Sequence, residues 1–198
     1  MLALASKPMH FDTRAKLVLV ERDEVESDLT FRGFLVTGSP LKGDTCEVIR
    51  ELRESSHYVT MITGDAALTA IHVAKTTAIL PPGDEQIFTL EKESAATGGA
   101  YFWRNLAEAD QVAPLHHLPN ANLCVTGAAL TVLMANEEAA FISRLMAHVR
   151  VFARVSPRQK ELIILELKER GFNTVMCGDG TNDVGALRHR HGSLTICG

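Results

Sequence analysis

Along most of the chain, apolar positions switch repeatedly between helical and strand spacing. KGDTCEVIRELRESS predicts a helix with Asp44 as its N-cap and with Val48, Ile49 and Leu52 as a buried stripe. The next segment, HYVTMITG, is apolar and β-branched and ends in glycine, which is typical of a buried strand. DAALTAIHVAKTTAIL then returns to helical spacing. These segments predict a helix, a strand and a second helix in succession.

The same alternation returns in the second half of the chain. HVRVFARV (148–155) predicts a strand, and Ser156, Pro157 and Gln159 supply the N-cap, the first-turn proline and the capping-box partner of the following helix. That helix, RQKELIILELKER, ends where Gly171 provides a C′ residue, and FNTVMC predicts another strand. Strands that alternate with amphipathic helices predict an α/β fold with a doubly wound parallel sheet.

Two segments interrupt this alternation. Residues 81–123 contain the turn-rich stretches PPGDEQ and SAATGG, and they predict an insertion with a short hairpin around Ile87–Leu90 and Tyr101–Trp103. Residues 1–38 carry short apolar runs around the acidic stretch ERDEVESD. We interpret them as the end of a separate β-containing element that precedes the α/β segment, residues 39–198.

Composition narrows the choice of partners. The 198 residues suffice for one generous domain, or for one domain with a fragment of another, and their 46% apolar content is that of a globular protein. A net charge of −4 gives no support to a nucleic-acid partner. The four cysteines lack zinc-site spacing, and the longest quiet stretch, residues 122–136, is shorter than the ~18–20 apolar residues of a membrane span. We therefore expect reduced thiols and no direct membrane insertion.

A glycine-rich turn after the last predicted strand carries the first candidate chemistry. In VMCGDGTNDVGAL, Asp179 follows the strand and Asp183 lies one turn further on. Ligands of parallel α/β sheets collect at the carboxyl ends of the strands, and two carboxylates at that edge suit Mg²⁺. An Asx-type turn followed by a helix N-cap explains the same residues equally well.

Two further elements point to phosphate. In MITGD, Thr63 ends a strand beside the free amides of a helix start, which can cradle phosphate, although an ordinary strand-to-helix turn has the same pattern. Lys160 lies in the first turn of its helix, where the dipole disfavours a cation unless an anion is near, although a solvated lysine is the simpler interpretation. Thr63, Lys160 and the Asp179–Asp183 pair would share one sheet edge. Together they predict a clamp for magnesium and a phosphoryl group.

The order of these motifs resembles a known family. MITGDAALTA, VFARVSPRQK and GDGTNDVGAL together are similar to the phosphorylation domain of P-type ATPases, a branch of the haloacid dehalogenase superfamily. The preceding stretch SDLTFRGFLVTGSPLK is most similar to the type-V subfamily A pumps, which are endoplasmic-reticulum enzymes that remove misinserted transmembrane helices. The resemblance covers roughly residues 1–187.

The resemblance implies a nucleotide- and phosphate-binding role for one group of residues. Thr63, Gly64 and Asp65 correspond to the TGD motif of the family, near phosphate and nucleotide. Arg154 corresponds to an arginine on the nucleotide-facing side, and Lys160 corresponds to the lysine that contacts phosphate. ATP is the nucleotide that the resemblance implies.

A second group corresponds to the magnesium site of the family. Asp179 would be the Mg²⁺ ligand, and Asn182 and Asp183 would support the phosphoryl site, with Asp183 as a further metal ligand. Lys160, Asp179 and Asp183 are then the expected catalytic residues. Residues 1–38 would be the end of the nucleotide-binding domain, and the rest of the chain a partial phosphorylation domain.

The nucleophile of the family is missing from the printed sequence. P-type ATPases accept the γ-phosphate on the aspartate of DKTGT, and no DKTGT occurs here. We therefore expect a fragment that lacks the nucleophile strand and does not turn over ATP alone. Its partners would be that strand, the actuator domain and the membrane helices of a pump, at the cytosolic face of the endoplasmic reticulum; expressed alone, it would be soluble. The tail 188–198, RHRHGSLTICG, departs from the family, and we expect a frayed end produced by an altered reading frame or splice site.

Two other functions remain open from sequence. A free-standing phosphatase of the haloacid dehalogenase type would share the Thr, Lys and paired Asp elements, but its nucleophile motif normally comes near the N-terminus, where residues 1–38 contain no match. A non-catalytic binding module would explain the missing aspartate, with surfaces exposed around the absent strand as its interaction site.

Overall fold

The computed structural model describes most of the chain. It covers residues 1–11, 13–14, 18–38, 40–83, 86–92, 100–118, 120–178, 180–189 and 192–195. The chain divides into two compact units, Met1–Lys42 and Gly43–Gly198.

The first unit is a small antiparallel sheet with one short helix. Strand β1 (Leu2–Ser6) pairs with β2 (Thr30–Leu35), and helix α1 (Arg22–Glu26) lies between them in sequence. Phe31 and Phe34 are in edge-to-face contact, with 5.0 Å between ring centroids. None of the described residues of this unit is buried, so its two strands have no core of their own. Its assignment to the end of a nucleotide-binding domain stays a prediction.

The second unit is built on a six-stranded sheet. Its strands are β3 (Met61–Ile62), β4 (Ile87–Lys92), β5 (Tyr101–Asn105), β6 (Val112–Pro114), β7 (Asn122–Thr126) and β8 (Val149–Ala153). They have the spatial order β3-β8-β7-β4-β5-β6. The first four in this order are parallel, and β5 and β6 are antiparallel additions at one edge.

Helices cover both faces of this sheet. They are α2 (Thr45–Glu54), α3 (Ala67–Thr76), α4 (Gly127–Asn136), α5 (Ala139–His148) and α6 (Pro157–Glu169). A further short helix, α7 (Val184–His189), packs against α6. Side chains alternate along β7, so Cys124 joins the apolar cluster under α3 and Val125 joins the cluster under α4 and α5. The predicted α/β fold class is therefore confirmed. No helix in the described part of the chain combines the length and apolarity that a membrane crossing requires.

Residues 81–123 contribute strands to the main sheet. The predicted hairpin is confirmed, because β4 pairs antiparallel with β5. Strand β4 also pairs in parallel with β7, which makes the hairpin continuous with the rest of the sheet. Periodicity gave no sign of β7, because its five residues run directly into α4 without a separating turn.

A separate two-stranded sheet follows α6. Strand β9 (Val175–Gly178) pairs in parallel with β10 (Gly192–Thr195). The strand predicted in FNTVMC is thus confirmed, but it pairs with β10 and not with the main sheet. The expectation of a frayed end is wrong for residues 192–195, which form β10. A small cluster of buried residues holds β9 against α6 and α7: Ile164, Met176 and Ala186. Ile62 of β3 packs against this cluster and also against the core of the main sheet.

The first predicted helix also differs from expectation. Asp44 has αR dihedral angles and its side chain makes no capping hydrogen bond. Val48 and Leu52 are 47% and 40% exposed, so the prediction of a buried stripe is wrong for them, whereas Ile49 is partly buried against the apolar cluster under α3. Amphipathic spacing states which side chains share a face of a helix, but not that another element covers that face.

Candidate functional site

The first part of the site is the turn between β3 and α3. The Thr63 hydroxyl donates to Asp65 Oδ2 at 2.9 Å and accepts from the Asp65 backbone N–H at 3.1 Å. Threonine favours such local side-chain turns where a strand ends. A Cβ added at Gly64 would approach only the Val155 carbonyl oxygen, at 4.0 Å. The turn therefore fixes Thr63 and Asp65 relative to each other.

The backbone ties this turn to the connection between β8 and α6. Thr63 N–H donates to Phe152 O at 2.9 Å, and Val155 N–H donates to Thr63 O at 3.1 Å. Arg154 N–H donates to Asp65 O at 2.8 Å. Arg154 has a φ of +50°, an uncommon value for a bulky residue that persists only where the surroundings fix it. The structure thus brings Thr63, Asp65 and Arg154 together.

The second part of the site is a buried ion pair. The predicted capping box of α6 is confirmed, because Ser156 Oγ accepts from Gln159 N–H and the Gln159 amide oxygen accepts from Ser156 N–H. This cap begins α6 so that Lys160 lies in its first turn. Lys160 Nζ donates to Asp183 Oδ1 at 2.7 Å, and each residue is only 6% exposed. Burial removes water from both charges, so each depends on the other.

Glycines let the backbone fold tightly around Asp183. Asp183 ends a single 3₁₀ turn, Thr181–Asp183, that precedes α7. A Cβ at Gly178 would lie 2.7 Å from Asp183 Oδ2, and one at Gly180 would lie 2.0 Å from Asn182 Oδ1. The carboxylate of Asp183 and the amide of Asn182 therefore lie directly against glycine backbone.

Asp179, which the sequence predicts as the principal Mg²⁺ ligand, lies outside the described residues. Among those described, no three His, Cys, Asp or Glu side chains group as a metal site. On the described turn that follows Asp179 in the sequence, the side chains of Asn182 and Asp183 offer hard oxygen atoms. Such atoms suit Mg²⁺ better than a thiophilic metal. The metal-binding roles of Asp179 and Asp183 stay predictions.

Comparison with known proteins adds an independent observation. No family model matches the chain. The chain is 39% identical over 98% of its length to the endoplasmic reticulum transmembrane helix translocase of Saccharomyces cerevisiae. It is 44% identical over 88% of its length to the endoplasmic reticulum transmembrane helix translocase spfA of Aspergillus fumigatus, and 40% identical over 89% to the probable manganese-transporting ATPase PDR2 of Arabidopsis thaliana.

Identity at this level, across nearly the whole chain, confirms the resemblance that the sequence motifs indicate. The chain is a relative of the P-type ATPases. It spans only 16%, 14% and 15% of the length of these three proteins, so the match concerns one segment of each. Relatives of similar identity are named for different cargo, a transmembrane helix and manganese, so identity in this segment does not indicate what is moved.

In this P-type ATPase relative, one short connection joins the two parts of the site. Val155 N–H donates to Thr63 O, and the next residue, Ser156, is the N-cap of α6, whose carbonyl accepts from Lys160 N–H at 3.0 Å. Asp183 joins through its bond to Lys160. All of the predicted site residues except Asp179 are described. They form two groups, one around the Thr63 turn and one around the Lys160–Asp183 pair, and the β8–α6 connection links the two.

Sequence reasoning missed the contribution of α4. Thr126 caps this helix by accepting from Ala129 N–H at 3.4 Å, and Gly127 follows it. A Cβ at Gly127 would lie 2.4 Å from the Arg154 carbonyl oxygen, so only glycine lets α4 begin against the Arg154 turn. The signal was present in NLCVTGAAL, an apolar run that ends in Thr-Gly as MITGD does.

Proposed function

We propose that this chain is part of the phosphorylation domain of an ATP-driven P-type pump, in which it holds Mg²⁺ and the phosphoryl group during ATP hydrolysis. The supporting observation is the buried Lys160–Asp183 ion pair, which one short connection links to the Thr63 turn. A buried pair gives little net stability, because desolvating two charges offsets their attraction. Its position at the end of the strands fits a role in binding an anion and its metal.

Lys160 supplies positive charge for the phosphoryl oxygens in this proposal. Among the described residues, Asp183 Oδ1 is its partner, and an ammonium group carries two further N–H donors. Asp183 fixes the direction of the ammonium group. The Thr63 hydroxyl, which donates to Asp65 here, is the neutral donor that a phosphoryl oxygen would engage. Gly64, Asp65 and Arg154 would contact the nucleotide side of ATP.

Asp179 and Asp183 would hold the metal, and Asn182 would support the phosphoryl site beside them. Bound Mg²⁺ neutralises charge on the phosphoryl oxygens and fixes their orientation. Asp183 then has two tasks, because one of its oxygens accepts from Lys160 and the other lies against Gly178 at the same turn. The Asp183 carboxylate would thus fix the position of the Lys160 ammonium group relative to the metal.

The phosphate acceptor would come from another segment of the pump. No DKTGT occurs in the sequence, and β3 and β9 each have one strand partner among the described residues, β8 and β10 respectively. Ile62 of β3 packs against the cluster that contains Met176 of β9, so the two strands lie near each other with one edge of each open. We infer that a strand carrying the acceptor aspartate lies between them in the whole pump.

The remaining partners follow from the same proposal. The actuator domain and membrane helices of the pump would complete the transport cycle, with the ATP site on the cytosolic face of the endoplasmic reticulum membrane. This chain alone would bind Mg²⁺ and phosphate weakly and would not turn over ATP.

The binding part of the proposal is tested by titrating the chain with Mg²⁺ and inorganic phosphate while its backbone amide resonances are followed by NMR. We expect shifts confined to the segments around Thr63, Arg154 and Asp183. Lys160→Met should abolish the phosphate-dependent shifts. Lys168→Met, which removes a lysine from the last turn of the same helix, is the matched control and should leave them unchanged. Equal shifts in both variants would overturn the assigned site.

The catalytic part is tested by assaying the purified chain with ATP and with p-nitrophenyl phosphate. We expect no turnover above that of Asp179→Asn. Turnover of either compound that Asp179→Asn abolishes would show that the chain carries its own acceptor. Turnover of p-nitrophenyl phosphate alone would favour a free-standing phosphatase.

A further inference from the structure

The side chain of Gln159 joins two helices through both ends of its amide. Its Oε1 accepts from the Ser156 N–H at 2.8 Å, which is the capping bond of α6. Its Nε2 donates to the Gly127 carbonyl oxygen at 2.6 Å and to Thr131 Oγ1 at 2.8 Å, both in the first turns of α4. A capping residue needs only the oxygen, so the amide nitrogen makes a second connection that capping does not explain.

The space around this amide is filled by close backbone contact. A Cβ at Gly127 would lie 2.6 Å from Gln159 Oε1 as well as 2.4 Å from the Arg154 carbonyl oxygen. Thr131 Oγ1, in turn, donates to Gly127 O at 3.1 Å. The start of α4, the Arg154 turn and the start of α6 therefore meet at one point, and Gln159 spans it.

We propose that Gln159 is a positioning residue for Lys160. Lys160 is the next residue of α6, and its buried Nζ reaches Asp183 only if the first turn of α6 keeps its place. The Nε2 bonds fix that turn against α4, whose strand β7 lies in the main sheet. The purpose of this positioning, an ammonium group held ready for phosphate, depends on the function proposed above.

Gln159→Glu separates positioning from capping. A glutamate keeps the acceptor for Ser156 N–H, since Glu and Gln are equivalent partners in a capping box. It replaces the Nε2 donor with a carboxylate oxygen that faces the Gly127 carbonyl oxygen, so the bond to Gly127 is lost and the two oxygens repel each other, even if the Thr131 hydroxyl turns to donate to the carboxylate. If Gln159 only capped α6, this variant would behave like the original chain.

The direct readout is the Lys160 ammonium group in ¹⁵N NMR, assigned with Lys160→Arg. Exchange of its protons with water is slow when the group is buried and bonded to Asp183. We expect Gln159→Glu to accelerate this exchange several-fold while the far-ultraviolet circular dichroism spectrum stays unchanged. Unchanged exchange in a folded Gln159→Glu chain would overturn the inference.

A milder variant covers the case in which Gln159→Glu fails to fold. Thr131→Val removes one of the two acceptors of Nε2, and we expect a smaller change in the same direction. Thr76→Val is the matched control, because Thr76 also bonds the carbonyl four residues earlier but lies on α3. Equal exchange rates for Lys160 in Thr131→Val and Thr76→Val would contradict the proposal.

The same variants separate this inference from the proposed function. In the Mg²⁺ and phosphate titration, we expect Gln159→Glu to weaken phosphate binding about tenfold. If the original chain binds no phosphate, the proposed function fails, while the ammonium readout still decides whether Gln159 positions Lys160. If phosphate binds and Gln159→Glu changes neither readout, only the positioning role fails.

Discussion

The two parts of the candidate site stand on very different supports. The Thr63 turn leaves a sheet of six strands whose larger core contains sixteen buried residues among those described. Asp183 leaves a sheet of two strands, β9 and β10, whose described core contains three, Ile164, Met176 and Ala186. We call the segment from β9 to β10, residues 175–195, the corner. Both parts present polar groups at the ends of parallel strands, but only the first is anchored in an extensive core.

The difference in core size predicts which part of the site unfolds locally first. Regions with few buried apolar contacts open locally at free energies well below that of global unfolding. The corner is such a region, and the Lys160–Asp183 bond is a direct link between it and α6. An incoming strand between β3 and β9 would add pairing to both sides of the site at once. The corner should therefore gain most from the acceptor strand proposed above.

The largest expected effect is in the larger core of the main sheet, at a tryptophan of β5. Trp103 is completely buried, and its Nε1–H donates to the Leu115 carbonyl oxygen at 3.0 Å. Trp103→Ala should lower the free energy of unfolding by about 4 kcal/mol, because it leaves a cavity and an unpaired carbonyl. Urea denaturation measures this loss. Met176→Ala in the corner is the comparison, and a loss of global stability as large as that of Trp103→Ala would remove the distinction between the two regions.

The next largest effect is expected at the Lys160–Asp183 ion pair, which links the corner to α6. Asp183→Ala leaves the Lys160 ammonium group buried without its partner, which should destabilise the corner by about 3 kcal/mol. Native-state hydrogen exchange should show faster exchange for β9 and α7 than in the original chain, with the amides of β7 and β8 unchanged. The double variant Lys160→Met with Asp183→Leu should recover most of the loss, since apolar residues can replace a buried pair. Faster exchange throughout the main sheet would contradict local opening.

The same contrast separates what sequence could predict from what it could not. The Ser156–Gln159 cap was predictable because its bonds are local, and the α/β class was predictable because periodicity reports which faces are apolar. The prediction of the Asp44 cap failed because an N-cap residue needs extended dihedral angles to aim its side chain at the N–H groups of the first turn, and Asp44 has αR angles.

Long-range features were harder to predict, for a physical reason. The pairing of β9 depends on which strands are available to it, and an apolar run does not specify its neighbour. The Lys160–Asp183 bond joins residues 23 positions apart, and only the unfavourable place of Lys160 in the helix dipole suggested a nearby anion. The Gln159 connection to α4 escaped prediction because the capping box already explained that residue.

A smaller effect on stability is expected from alanine substitutions of two glycines, one in each part of the site. A Cβ at Gly178 in the corner would lie 2.7 Å from the Asp183 side chain, whereas a Cβ at Gly64 would have its nearest neighbour at 4.0 Å. Gly178→Ala should therefore cost about 1–3 kcal/mol through overpacking, and Gly64→Ala should change stability by less than about 0.5 kcal/mol. Thermal unfolding of the two variants measures the difference. Equal losses would mean that the Asp183 side chain moves aside without penalty.

The smallest perturbation is chemical labelling of the cysteines, which leaves the sequence intact. Burial raises the pKa of the Cys124 thiol in β7 from 9.0 to about 12, whereas Cys177 in the corner is exposed. The thiolate is the reactive form, so iodoacetamide at pH 8 should modify Cys177 readily and Cys124 only when the sheet opens. Peptide mass spectrometry measures both rates.

The raised pKa also sets the sign of a pH effect. The folded state keeps the Cys124 proton that the unfolded state loses near pH 9, so this contribution to stability is complete below pH 9 and is lost as pH rises towards 12. Cys124→Ala should therefore reduce the alkaline loss of stability between these limits, and Cys177→Ala is the matched control. If iodoacetamide modified Cys124 as fast as Cys177 at pH 8, the main sheet would open as readily as the corner. Its larger core would then give the Thr63 side of the site no advantage in rigidity.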